Sequence, residues 1–229
     1  MNKIWFFGDS FCDCNYKQET DDENKLEWTD LLARDLNCNI AHLGTPGSSI
    51  PFLVKQYLEN LNFIQSNDIV VFVYTSITRE FFKGKNFRPI PDFLPLEEKL
   101  ESINIPNEGN HISEREFSAW NNYLIHLHDT EDAIFRGAMY INYLLKFDHK
   151  CKTYHIPAFD DFPHEYCKLK SDYSITTIVN DLSDSMGLNP EQRESMVSGN
   201  NHMVSDDRKI SCVKSAYKVI KEHYIDNDK

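Results

Sequence analysis

Apolar residues in this chain follow two rhythms. Short unbroken runs stop abruptly at glycine or a small polar residue: "KIWFFG" ahead of Asp9-Ser10, "CNIAHLG" over 38–44, "DIVVFVYTS" over 68–76 and "CKTYHIPAF" over 151–159. Runs that are apolar on both faces predict buried strands of a parallel sheet covered by helices, most clearly at 68–76. Between them the spacing changes to three and four. Trp28, Leu31, Leu32 and Leu36 share one face of a helix over 26–36. Ile50, Leu53, Val54, Tyr57, Leu58 and Leu61 share one face of another, with Ser48 or Ser49 as its N-cap. Ser113-x-x-Glu116 is a capping box opening a helix toward His126, and a further helix starts near Thr130. Ile210, Val213, Tyr217, Ile220 and Tyr224 line one face of a terminal helix. Residues 160–200 read as irregular apart from one short helix. Pro89, Pro91, Pro95 and Pro106 break any regular pattern in 80–112, which reads as an insertion or lid.

Strands alternating with helices predict one α/β domain over residues 1–229, with a parallel sheet and right-handed crossovers. In such sheets function gathers where the strands end. Ser10, Gly44 and the pair Thr75/Ser76 each follow a predicted strand. The fold therefore brings these distant residues to one edge.

Composition narrows the partners. The formal net charge of -12 argues against a nucleic-acid groove or an anionic membrane surface, both of which need clustered Lys and Arg. A neutral or cationic small molecule is easier to accommodate. Aromatic content of 13% in 229 residues implies that large rings carry much of the core, without help from disulfides or metal. Six scattered cysteines form no C-x-x-C, and Cys12-x-Cys14 is too tight for a common zinc knuckle. They read as reduced thiols of a cytoplasmic protein. "MNKIWFFGDS" is too short in its apolar stretch for a signal peptide, and no run approaches membrane-spanning length. His126 and His128, two apart on a helix, point in different directions and do not share a metal.

The strand-end residues suggest acyl transfer, which needs a nucleophile, a base and donors for a tetrahedral oxyanion. Ser10 supplies the hydroxyl, and its own N–H can be one donor. Gly44 in "LGTPGSS" is suited to a second, because a glycine N–H can be closely approached. His202 in "GNNHMVSDD", shortly before the terminal helix, is the candidate base. Asp9 reads as a turn residue that supports the loop through local backbone N–H groups. Arg79 reads as a charge following the strand, with a structural or substrate role. "GTPGSS" is a poor phosphate cradle: it has neither the P-loop Lys nor G-x-G-x-x-G spacing.

Together "FFGDSFCD", "LGTPGSS", "YTSITR" and "NNHM" resemble the SGNH, or GDSL-like, hydrolases, especially small variant members encoded by bacteriophages and other viruses. The resemblance spans residue 3 to about 224, apart from 80–112. It implies a flavodoxin-like three-layer α/β/α sandwich and a serine esterase that needs no cofactor. It also implies Ser10 as nucleophile, Gly44 as oxyanion donor and His202 as base. Small acyl esters follow by the same analogy, including O-acetyl groups of glycans. Two departures stand out. The family's block-three Asn falls on Ile77, so Thr75, Ser76 or Thr78 would replace it with a hydroxyl, or Arg79 with a charge. The Asp expected three residues before the histidine is Gly199, leaving Asn200, Asn201 or a backbone carbonyl to orient the ring. Asp161-x-x-His164 has the Asp spacing but follows a strand and precedes no terminal helix. These departures favour, as an alternative, a catalytically impaired binding or virion-associated module. A nucleotide binder is the third reading, disfavoured by the acidic charge.

Overall fold

The computed structural model describes residues 2–12, 28–45, 47–77, 79–82, 85–87, 113–126, 129–158, 162–163 and 165–166. Its elements are β1 (Lys3–Gly8), a 3-10 turn (Ser10–Cys12), α1 (Trp28–Asp35), β2 (Asn39–Gly44), α2 (Ile50–Asn60) and β3 (Ile69–Tyr74). They continue with β4 (Glu80–Phe82), β5 (Lys85–Phe87), α3 (Glu114–His126), α4 (Thr130–Lys146) and β6 (Lys152–Pro157). Four strands form a sheet in the order β2-β1-β3-β6, every neighbouring pair parallel. The predicted parallel α/β arrangement is therefore present.

Alternation along β1 divides the core in two. Ile4 and Phe6 face one side, where Trp28, Leu32 and Ala33 of α1 cover them. Trp5 and Phe7 face the other, packed with Leu53, Val54 and Tyr57 of α2 and Ala138, Ile141 and Leu144 of α4. The rings meet edge-on: Phe6 with Trp28 at 5.4 Å, and Phe7 with Tyr57 at 5.4 Å. Each buried ring contributes roughly 1.5–3 kcal/mol by removal from water. All six residues of β3 are buried, as its two-sided apolar run predicts.

The helix starts follow local chemistry. The Ser113–Glu116 capping box closes reciprocally: the Glu116 carboxylate accepts from Ser113 N–H at 3.0 Å, and Glu116 N–H donates to the Ser113 hydroxyl at 3.4 Å. Asp129 caps α4 by accepting from Glu131 N–H at 2.8 Å. At α2 Ser49 holds the N-cap position without a side-chain cap bond.

Two expectations are corrected. Leu58 of α2 is 44% exposed, so the apolar face is narrower than its periodicity suggests. The segment from residue 80 opens with an antiparallel hairpin, β4–β5, rather than irregular chain. Glu80 pairs with Arg136 of α4 at 2.7 Å and Phe81 meets Phe52 of α2 at 5.1 Å, so the hairpin is fastened to both helices. Residues 88–112, most of 160–200 and the segment predicted as a terminal helix lie outside the described residues. Among the described residues, no helix is long and apolar enough to cross a membrane, and no cluster of His, Cys, Asp and Glu could hold a metal.

Candidate functional site

From β1 the chain goes to β2 on one flank, while β3 pairs with the opposite flank. The carboxyl ends of β1 and β3 thus border a topological switch point, where a parallel sheet opens a crevice. Gly8 ends β1 and lies in register with Gly44, the last residue of β2. Tyr74 ends β3, and Thr75 follows it. Sheet order alone therefore brings Asp9-Ser10, Gly44 and Thr75-Ser76 to one rim.

Asp9 organises that rim. It is fully buried, and a buried carboxylate is tolerated only when its oxygens are paired. One oxygen accepts from Phe11 N–H at 3.1 Å, the local turn bond the sequence suggests. The other accepts from the Thr75 hydroxyl at 2.9 Å and from Arg79 Nη1 at 3.0 Å. Arg79 Nη1 also lies 3.4 Å from the Ser48 carbonyl oxygen. One carboxylate thus fixes the end of β1, the end of β3 and the turn before α2. Arg79 is 14% exposed in its side chain and ion-paired, so it is not a solvated charge.

Gly8 permits the close packing. A Cβ on it would stand 2.7 Å from the Val73 carbonyl oxygen and 2.7 Å from Cys12 Sγ. Its own carbonyl accepts from Thr45 N–H at 3.0 Å and from the Ser48 hydroxyl at 2.9 Å. Ser48, one of the two cap candidates, therefore holds strand β1 rather than capping α2. On the α1 side, Trp28 Nε1–H donates to the Phe11 carbonyl, and Cys12 is buried.

Ser10 opens the 3-10 turn, half-buried between these anchors. Among the described residues nothing accepts its hydroxyl proton. The oxyanion candidates fare differently. The Thr75 hydroxyl has one proton, and Asp9 takes it, so Thr75 belongs to the scaffold. Ser76 is half-buried, and its carbonyl accepts from Arg79 N–H at 3.2 Å. Ile77, where a side-chain donor was sought, is buried in the core against α4. Successive N–H groups of a strand point to opposite sides. Because Thr45 N–H points to β1, Gly44 N–H points off the outer edge of β2, away from Ser10. In the turn beyond, Ser48 N–H is used by the Thr45 carbonyl at 3.0 Å and Pro46 has no N–H. Gly47, at φ 70, carries the remaining one.

His202 and Asn201 lie outside the described residues, as do Thr78, Asp161, His164, Gly199 and Asn200. No protein-family model and no curated protein sequence matches the chain. The sequence reading missed the carboxylate hub and the roles of Ser48 and Gly47. Two signals were available: an acidic residue directly after an apolar strand, and the order Thr-Pro-Gly-Ser, which places Pro and Gly where a type II turn wants them.

Proposed function

We propose that the protein is a serine-dependent ester hydrolase of the SGNH type on a flavodoxin-like three-layer sandwich, acting on small acyl esters such as glycan O-acetyl groups. The observation that carries this reading is Ser10 itself: a half-buried hydroxyl at the β1/β3 switch point, set by a fully buried, ion-paired Asp9.

His202 is the base. What supports this is sequence position: His202 lies shortly ahead of the predicted terminal helix, and in a parallel α/β sheet helices start from the carboxyl ends of the strands. Its imidazole takes the Ser10 proton as Oγ attacks the acyl carbon. The resulting oxyanion is held by the N–H groups of Ser10 and Gly47, the latter replacing Gly44 for the geometric reason given above. The C–O bond to the alcohol breaks, and the imidazolium returns the proton to the leaving oxygen. Water, deprotonated by the same imidazole, then cleaves the acyl-serine to carboxylic acid and free Ser10.

Ser10→Ala and His202→Ala should each lower p-nitrophenyl acetate hydrolysis by about 10³-fold or more, while His164→Ala leaves it unchanged. An organophosphonate should label Ser10 alone. Equal hydrolysis by wild type and Ser10→Ala would instead support a binding or virion-associated module. That second reading is favoured by one observation: neither Thr75 nor Ile77 offers a side-chain donor to an oxyanion.

A further inference from the structure

Away from Ser10, two imidazoles are set into one aromatic pocket under the connection between α4 and β6. His149 Nε2 lies 2.5 Å from the Leu144 carbonyl, which can only accept, so Nε2 carries the proton. Nδ1 is then bare and accepts from the Tyr57 hydroxyl at 2.6 Å. His155 on β6 has Nδ1 2.7 Å from the Tyr74 hydroxyl and stacks on Phe72 at 5.2 Å. The His149 ring lies 5.9 Å from the same Phe72, 5.5 Å from Tyr57 and 5.2 Å from Phe147. Phe72, fully buried, is thus the shared wall of both histidines.

We propose that residues 147–151 form a proton-operated latch: protonating His149 and His155 releases this connection from the aromatic pocket and frees the carboxyl-terminal turn of α4. A proton on His149 Nδ1 would face the Tyr57 hydroxyl. That hydroxyl would have to turn its own hydrogen into apolar surroundings, leaving a buried donor unmade. Two cations against Phe72 would also repel one another.

The surrounding groups set the balance. α2 offers Tyr57, whose hydroxyl burial holds in its protonated form. α4 offers its C-terminal carbonyls, with Tyr143 and Lys146 on its last turn. The connection itself offers Asp148, Lys150 and Cys151, whose thiol burial pushes up to about 11. β3 offers Tyr74, and β6 begins at Lys152. Burial pulls His149 below its usual range, outweighing the Leu144 carbonyl and Asp148, which both pull upward. Burial, and then His149, pull His155 down to about 3. Both folded values lie below the unfolded value of about 6.5. Stability from the neutral rings is therefore complete above pH 6.5 and drains away as pH falls from there toward the folded values.

Hydrogen–deuterium exchange on the full chain between pH 7.5 and 4.5, corrected for intrinsic rates, tests the latch. Protection of amides 144–156 should fall at least tenfold while β1 stays protected. His149→Gln with His155→Gln, amides that keep a donor and an acceptor without titrating, should hold protection level across that range. An unchanged profile in wild type, an equal response in the double variant, or simultaneous loss in β1 would overturn the proposal. Should the double variant not fold, imidazole NMR titration of the wild type decides. Values depressed below about 6.5 for both rings support the latch, and ordinary values near 6.5 with undisturbed neighbours refute it.

Discussion

The sheet has a buried carboxylate at each end, and the two are satisfied in opposite ways. At the amino edge Asp68, 3% exposed, accepts from Lys3 N–H at 2.9 Å, Trp5 Nε1–H at 3.0 Å and Gln65 N–H at 3.0 Å. All three donors are uncharged, and they clasp β1 to the turn before β3. At the carboxyl edge Asp9 takes one backbone donor, one hydroxyl and a guanidinium. The first arrangement closes on itself. The second gathers the ends of three segments and leaves the next residue, Ser10, at the rim. Equal burial therefore says little about role; what distinguishes the two is whether the partners hold one strand or assemble a site.

The two carboxylates differ most at Arg79, the charged donor that Asp9 has and Asp68, among the described residues, lacks. Arg79→Met leaves the Asp9 charge buried without its partner, which should cost about 3–5 kcal/mol in urea unfolding. Ester hydrolysis should fall with it, even at temperatures where the variant is folded. A loss under 1 kcal/mol would mean that Asp9 does not depend on this pair. Gly8→Ala comes next: the new Cβ meets a strand carbonyl, and relieving that contact should cost about 1–3 kcal/mol. A crystal structure should show β1 displaced from β3 at Val73.

The amino edge supplies the contrast. Asp68→Asn puts an NH2 group against donors and should cost about 1–3 kcal/mol, with kcat unchanged within about twofold. Its acid limb should change as well. Burial pushes the Asp68 carboxyl up, but the donors from Gln65, Lys3 and Trp5, with the Lys3 charge, outweigh it and hold the group below the usual carboxylate range. Its stabilisation is present above the unfolded value of about 3.9 and disappears as pH falls through the folded value. Asp68→Asn should accordingly flatten acid unfolding below about pH 4, as followed by circular dichroism. The smallest effect is expected for Ser48→Ala, which loses one hydrogen bond to the Gly8 carbonyl: about 1 kcal/mol.

The strands were legible because burial on both faces leaves an unbroken apolar run, and Ile69–Tyr74 is the clearest instance. Helix boxes such as Ser113–Glu116 were legible because their bonds are local. What escaped depends on sheet order. Nothing in the local chain says that Thr75 and Arg79 will face Asp9, nearly seventy residues earlier, since that follows from β3 lying beside β1. Leu58 escaped differently: helical periodicity marks a face but not where its partner ends. The Glu80–Arg136 pair was not legible either, because α4 comes three elements after β4 in the chain.

Central placement of the first strand also bears on how this chain is made. "KIWFFG" leaves the ribosome well before its β3 partner, which begins about sixty residues later. At about 5–20 residues per second, that is roughly 3–12 s during which one flank of a strongly apolar strand has only water or another nascent chain beside it. Slowing synthesis between β2 and β3 should therefore increase aggregation, and a chaperone that shields β1 during that interval should raise the yield of folded protein.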